Sequence, residues 1–379
     1  MHFDFNKLVI AFLPHKPYHL DILQGLLSLE NLPYKLILID SASYYIDPSV
    51  KDRLSFIQEH EISKHLNVVR LEELIAKGDL PAMLCVFNDW ERSARVLVEA
   101  YNDAKLPSIA IAEGVQDYYD ELSPTPRFPY QCAKHILLPC PYDKRFFHDS
   151  RQSVNVVGNP RISTLRPIST STDQNTSEAL INYNFSYGAL AHCKTKWLND
   201  AFQAIQSAGM KPVIAVHPSE DTPSRFMKYV SSMPLHETIS RCACVVSRFS
   251  TVILESLALN VPVVYFPPRE ESVDKFKTIA EISSIANGPD QLEAILKNKI
   301  FLKFSQKDVT EYLKVHAGTH IDHKSKFTRL LDLILESSFV CDDKRNDLAK
   351  LLQLRLATQE HRNNYYMKSQ LRLRANQTN

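Results

Sequence analysis

The sequence predicts two α/β domains, each built on an open parallel sheet, facing one another across a cleft. Short apolar runs alternate with amphipathic segments from end to end, which is the rhythm of βαβ units. The rhythm breaks once, over Ser163 to Glu178 (STLRPISTSTDQNTSE), a polar stretch without periodicity that reads as a linker. At 379 residues the chain exceeds one ordinary domain, and 44% hydrophobic residues supply a core for each half. The expected division is a first domain at 1–165, a linker at 166–178, a second domain at 179–340 and a tail at 341–379.

In the first domain the apolar runs predict strands at Leu8–Leu13, Tyr34–Asp40, Ala82–Phe87, Ser108–Ala112, His135–Pro139 and Val154–Val157. A helical stretch falls at Trp90–Ala104. After the linker, Ala179–Phe185, Lys211–Val216, Cys242–Ser247 and Val261–Phe266 read as strands. Lys194–Ala208 and Ser250–Leu259 read as helices between them. Beyond Asp274 the pattern is helical, with Asp290–Lys297, Gln306–His316 and Lys324–Ser337. Asp347 to Leu356 keeps helical apolar spacing. From His361 onward Arg362, Lys368, Arg372 and Arg374 interleave with Tyr365, Tyr366, Met367, Leu371 and Leu373, with no acid. That pattern suits either a terminal helix with a solvated basic face or a basic amphipathic arm on an anionic membrane surface.

Bulk composition excludes several classes. A formal net charge of +1 argues against a nucleic-acid binder working by bulk charge. Seven scattered cysteines do not form a disulfide framework, and the Cys242–Cys244 pair reads as buried thiols. No charged leader with a cleavable apolar segment precedes the first strand, and no apolar run is long enough to span a membrane. A cytoplasmic protein, with peripheral membrane contact through the tail, is the expectation. With eight glycines, and no G-x-G-x-x-G or G-x-x-x-x-G-K-[ST], the glycine-based dinucleotide and P-loop phosphate cradles are absent.

The chemistry concentrates at strand ends. Cys244 to Ser247 runs through Arg248-Phe249 into a helix opening with Ser250 and Thr251, so hydroxyls and unpaired amides face one rim. Ser250 is equally an ordinary N-cap. One strand earlier, Pro212–Val216 ends in His217-Pro218. A histidine there can donate to a phosphate oxygen or protonate a leaving phosphate, or simply close a core strand. Glu255, one turn into the helix, holds ribose hydroxyls or is a solvated helix residue. Glu113-Gly114 ends Ile109–Ala112, a carboxylate at a strand mouth suited to a general base or to a loop ion pair. The loop beyond it contains Asp117 and is rich in Asp, Tyr and Pro, as a substrate-facing loop would be. Asn88 or Asp89 caps the following helix, with catalysis by Asp89 as the second reading. His15 and Lys16 follow the first strand and face the same cleft. Gly158-Asn159-Pro160 marks a sharp exit from the first domain, with ligand contact by Asn159 as the alternative.

Taken together, AEG (112–114), HILLPCPYDKRFF (135–147), VVGNPR (156–161), VIAVHP (213–218) and SRFSTVILESLALNVPVVYF (247–266) resemble the GT-B superfamily. The layout is similar to non-hydrolysing UDP-N-acetylglucosamine 2-epimerases, CDP-glycerol glycerophosphotransferases and bacterial sialyl-, polysialyl- and Kdo-transferases. An acidic-Gly motif, then His-Pro, then a Ser/Thr pair resembles transferases of CMP-activated ulosonic acids. That resemblance implies Glu113 as base, His217 on the CMP phosphate, and Ser250 and Thr251 on the phosphate or sugar carboxylate. The family has two acids before the glycine, whereas this chain has Ala112 at the first position. Asp89, Glu113 and His217 also fall where the epimerases place catalytic groups, but Pro126 is followed by Arg127-Phe128 instead of two acids.

The expectation is a GT-B glycosyltransferase with no cofactor beyond its nucleotide-sugar substrate and no obligatory metal. It would join a CMP-linked sugar to a glycan or lipid-linked glycan of a bacterial surface polysaccharide. Catalytic residues would be Glu113, His217 and Asp89. The donor would meet His217, Pro218, Ser247, Ser250, Thr251, Glu255 and Asn159; the acceptor would meet His15, Lys16 and Asp117. The alternatives are a CDP-glycerol-type or UDP-sugar transferase, an epimerase, and a non-catalytic scaffold of a polysaccharide assembly complex.

Overall fold

The computed structural model describes residues 8–29, 32, 34–41, 56–78, 80–90, 92–114, 118, 129–147, 150–167, 177–185, 190–217, 220–271, 278–338 and 344–355. Two all-parallel sheets organise them. The first has seven strands in the order β3-β2-β1-β4-β5-β6-β7. Its strands are β1 Val9–Leu13, β2 Lys35–Asp40, β3 Asn67–Arg70, β4 Met83–Val86, β5 Ser108–Ile111, β6 His135–Leu138 and β7 Ser153–Val156. The second has five strands in the order β12-β11-β10-β8-β9. They are β8 Glu178–Tyr183, β9 Lys211–Val216, β10 Cys244–Ser247, β11 Val263–Tyr265 and β12 Ser284–Ile285.

Both sheets are covered on both faces, so their strands are apolar on alternate and on successive residues alike. In β1, Ala11 and Leu13 enter the core on one face, and Ile10 and Phe12 the core on the other. In β10, Cys244 and Val246 face one core and Val245 the opposite one. Each sheet order reverses once. The reversal lies between β1 and β4 in the first sheet and between β8 and β10 in the second. In open α/β sheets ligands bind beyond the carboxyl ends of the strands at such a reversal. The residues following β1, β4, β8 and β10 therefore line the expected ligand crevice.

The chain crosses between domains earlier than the polar stretch suggests. Asn159 caps the short helix Pro160–Ser163, and Ile162 already lies in the second core. It then crosses back. Helix Gln306–Ala317 packs in the second core through Val309, Tyr312 and Leu313. The next helix, His323–Ser337, puts Phe327, Leu331, Ile334 and Leu335 into the first core beside Phe12. Assigning all of 179–340 to the second domain is corrected accordingly. An amphipathic stripe demands an apolar partner but does not say which sheet provides it. The helix over 344–355 also returns to the first domain: Leu348 and Leu352 are fully buried there. Arg355 bonds Glu99 at 2.8 Å and also pairs with Asp103. The basic arm from His361 onward lies outside the described residues. No described helix is long and apolar enough to cross a membrane.

Candidate functional site

The first-domain side of the site is built on β1 and β5. Lys16 precedes a proline at the first helical position, where a missing N–H costs nothing, and helix Pro17–Leu26 begins at once. Its first turn carries Tyr18 and His19 over the sheet reversal, where His19 stacks on Phe87 beyond β4 at 4.3 Å. The His15 amide donates to His19 Nδ1 at 3.0 Å. That nitrogen is therefore an acceptor, and the ring proton sits on Nε2. His19 Nε2 donates to Glu113 Oε2. Tyr18 donates its hydroxyl to the same oxygen at 3.2 Å. The Glu113 amide donates to the Tyr130 hydroxyl, which donates to the Phe87 carbonyl. Glu113 is thus a buried carboxylate oriented by two side chains. Burial holds His19 below its ordinary pKa against the pull of Glu113, so it is a neutral donor. His15 is driven to about 3, by burial first and then by His19 and Lys16.

Across the cleft, His217 ends β9 with its amide bonded to the Tyr183 carbonyl at 3.0 Å. Burial lowers its pKa, Glu220 opposes that, and the charge of Lys16 lowers it further. Exposed Lys16 therefore acts on His15 and His19 in one domain and on His217 in the other. A second link is steric. A Cβ on Gly114 would lie 2.7 Å from Thr251 Oγ1, so the residue after Glu113 abuts the helix start after β10. A third is ionic. Arg161 pairs with Glu255, whose other oxygen meets His236 Nε2 at 3.2 Å. The Arg161 guanidinium also lies 5.5 Å over the Tyr18 ring. His236, Glu255, Arg161, Tyr18, Glu113 and His19 form one chain of contacts across the cleft.

The structure brings Glu113, His217, Thr251, His15 and Lys16 to this rim and removes other expected residues from it. Asp89 is fully buried, and its carboxylate accepts from the amides of Tyr130 and Cys132 at 2.6 Å and of Ala133 at 3.0 Å. It anchors the segment 130–133 and is shut off from solvent. Its acceptors are spent on residues distant in sequence. Ser247 is fully buried, donating to the Arg248 carbonyl and accepting from Asn182. Asn159 is occupied as the cap of Ile162. Glu255 is 1% exposed with both oxygens engaged, so it is not presented to a ribose. Ser250 is buried and accepts from the Val252 amide.

The expected cradle of helix-end amides also narrows. The Phe249 amide donates to the Glu271 carboxylate at 3.0 Å, and Arg248 is clamped by the same carboxylate and by the Asn184 carbonyl. Asp117 and Pro218 lie outside the described residues. Sequence reading missed Tyr18, His19, Arg161 and His236. His19 sits four residues from His15 on a helix start, a visible spacing, but its partner is 94 positions away.

Among solved structures, a candidate UDP-N-acetylglucosamine 2-epimerase from Listeria monocytogenes is 13% identical, with TM-score 0.60, covering 86% of this chain and 94% of that one. S. aureus MnaA, solved with UDP, is 13% identical with TM-score 0.54, covering 86% and 95%. The spinosyn forosaminyltransferase SpnP is 13% identical with TM-score 0.50, covering 86% and 98%. These likenesses show the fold: two facing parallel-sheet domains in the GT-B arrangement. No protein-family model matches the chain, and no curated protein matches it in sequence.

Proposed function

We propose that the chain is a glycosyltransferase acting on a nucleotide-activated sugar, CMP-linked in the finer reading, with a glycan hydroxyl as acceptor. The observation that carries this is the abutment of Gly114 on Thr251. It supports a reading in which the oriented Glu113 carboxylate faces a donor side made by His217 and Thr251. Glu113 takes the acceptor hydroxyl proton as the new bond forms at the anomeric carbon. The bond from that carbon to the phosphate oxygen breaks, and its electron pair leaves with the nucleotide. Lys16 and His217 neutralise the departing charge, and His217 supplies a proton or hydrogen bond to the phosphate. The Thr251 hydroxyl donates to the phosphate or to a sugar carboxylate. Neutralisation rests on these side chains and not on helix-end amides, of which those of Val252 and Ile253 already bond Ser250.

A thermal-shift panel of CMP, CDP and UDP tests the donor class. Stabilisation by CMP above the others, lost in His217→Ala, is expected. Stabilisation by CDP or UDP alone moves the reading to the corresponding transferase, and no stabilisation by any of them favours a scaffold. The GT-B likeness covers an epimerase too. NMR of UDP-N-acetylglucosamine incubated without acceptor separates the two, since inversion at C2 would replace transfer as the reading.

A further inference from the structure

We propose that His192, Cys193 and Glu270 form a site for a borderline-soft divalent cation of the zinc type, outside the transfer chemistry. One ligand atom from each lies within 4.8 Å of the others. An imidazole, a thiolate and a carboxylate are ligand types that such a cation accepts together. Tetrahedral zinc ligands lie about 3.3–3.7 Å apart at ordinary bond lengths. His192 and Glu270 are exposed, which leaves their side chains room to rotate toward an ion.

The two backbones that carry the ligands are held from beneath. Leu190, buried in the second core, starts the 3-10 turn Ala191–Cys193, which leads straight into helix Lys194–Ser207. Glu270 closes on a turn in which the Glu271 amide bonds the Pro268 carbonyl at 2.9 Å. The Glu271 side chain is fully buried against Arg248, the Phe249 amide and the Tyr265 hydroxyl. Rigid support of this kind is what a ligand set needs in order to be preorganised.

The site's place in the topology suggests its work. His192 and Cys193 follow β8, and Glu270 follows β11; the two strands flank β10. An ion bridging them would strap the loops on either side of the Arg248-Phe249 turn, fixing Glu271 and thereby the start of the Thr251 helix. Three protein ligands leave a fourth position for water. Binding releases the Cys193 thiol proton, and the carboxylate and thiolate together balance the ion's charge.

The test uses the full chain after chelator treatment. Zinc uptake is measured by competition with a chromophoric chelator, and Co2+ serves as the spectroscopic probe. Uptake of one ion per chain is expected, with a thiolate-to-cobalt charge-transfer band in the near ultraviolet. Cys193→Ser should abolish the band. His192→Ala and Glu270→Gln, both at exposed positions, should each weaken binding about tenfold or more while the chain stays folded. Hydrogen exchange of the 248–250 amides should slow on zinc addition in the wild type and not in His192→Ala. Absence of stoichiometric uptake, or uptake insensitive to His192→Ala and Glu270→Gln, overturns the proposal by assigning any bound metal to other thiols.

Discussion

At the scale of single residues the site depends on which carboxylates keep access to the cleft. Glu113 and Asp89 both follow apolar strands and look alike in sequence. Asp89 spends its oxygens on three amides of the 130–133 segment, whereas Glu113 is held by Tyr18 and His19 at the lip. Glu113→Gln should therefore fold normally and lose about 100-fold to 10,000-fold in transfer rate, measured with a radiolabelled donor. Asp89→Asn should instead lower stability by about 2–4 kcal/mol, read in urea unfolding, because an amide cannot accept all three charge-assisted bonds. Near-normal stability would return Asp89 to the catalytic candidates. His217 carries a pH signature. Burial, opposed by Glu220 and reinforced by Lys16, holds its pKa below 6.5 in the free chain. A bound phosphate raises that value, so binding takes up a proton, and affinity falls as pH rises through the bound-state value. Calorimetry of CMP binding near pH 6, in buffers of different ionisation enthalpy, should detect this uptake. His217→Asn should remove it; an unchanged uptake would locate the proton elsewhere.

At the scale of elements, the two interdomain crossings run side by side and tolerate little bulk. The Asn159 amide bonds the Ala317 carbonyl at 3.0 Å, and His323 Nδ1 donates to the Val157 carbonyl at 2.8 Å. Gly158 has φ +84°, and a Cβ on it would collide with the His323 ring. Gly158→Ala should cost about 1–3 kcal/mol, read as a lower urea midpoint at unchanged slope. Gly78→Ala, with φ +67° but open space around it, is the control that isolates backbone strain. An equal loss in both would rule out the steric part. The elements themselves were largely legible. Ten of the twelve described strands, all but β3 and β12, stand out as apolar runs. β3 (NVVR) and β12 (Ser284–Ile285) are edge strands, short and incompletely buried, so neither period nor composition marks them. The side of the molecule on which helix His323–Ser337 packs was not legible, because either sheet satisfies its apolar face. Of the site, His217, Glu113 and Thr251 could be read from motifs at strand ends. The Arg161–Glu255–His236 group could not, since Arg161 lies 94 positions from Glu255 and meets it only where helix Pro160–Ser163 packs on the second core.

At the scale of the whole molecule, that buried ion pair fastens helix Pro160–Ser163, the first element after the interdomain crossing, to the second core. Burial works to raise the Glu255 pKa, but the His236 hydrogen bond and the Arg161 charge hold it below the ordinary 4.5. A carboxylate with a depressed folded-state pKa contributes stability that is fully present above its unfolded value. That contribution drains away as pH falls from about 4.5 through the lower folded value. Replacing Arg161 with Met strips one partner from a side chain that is 1% exposed. Loss of a partner from a fully buried pair costs about 3–5 kcal/mol. Arg161 is 24% exposed and His236 remains, so about 1–3 kcal/mol is the expected loss. Because Arg161 also lies over the Tyr18 ring of the first domain, the loss should have two readouts. Thermal stability should drop at neutral pH, with the gap to wild type closing as pH falls below 4.5 and Glu255 protonates in both proteins. Small-angle scattering should show the variant more extended than wild type, with transfer rate falling as Glu113 and the donor rim separate. A variant destabilised equally at every pH, with wild-type dimensions, would mean that Arg161 acts by local packing and that closure is set elsewhere.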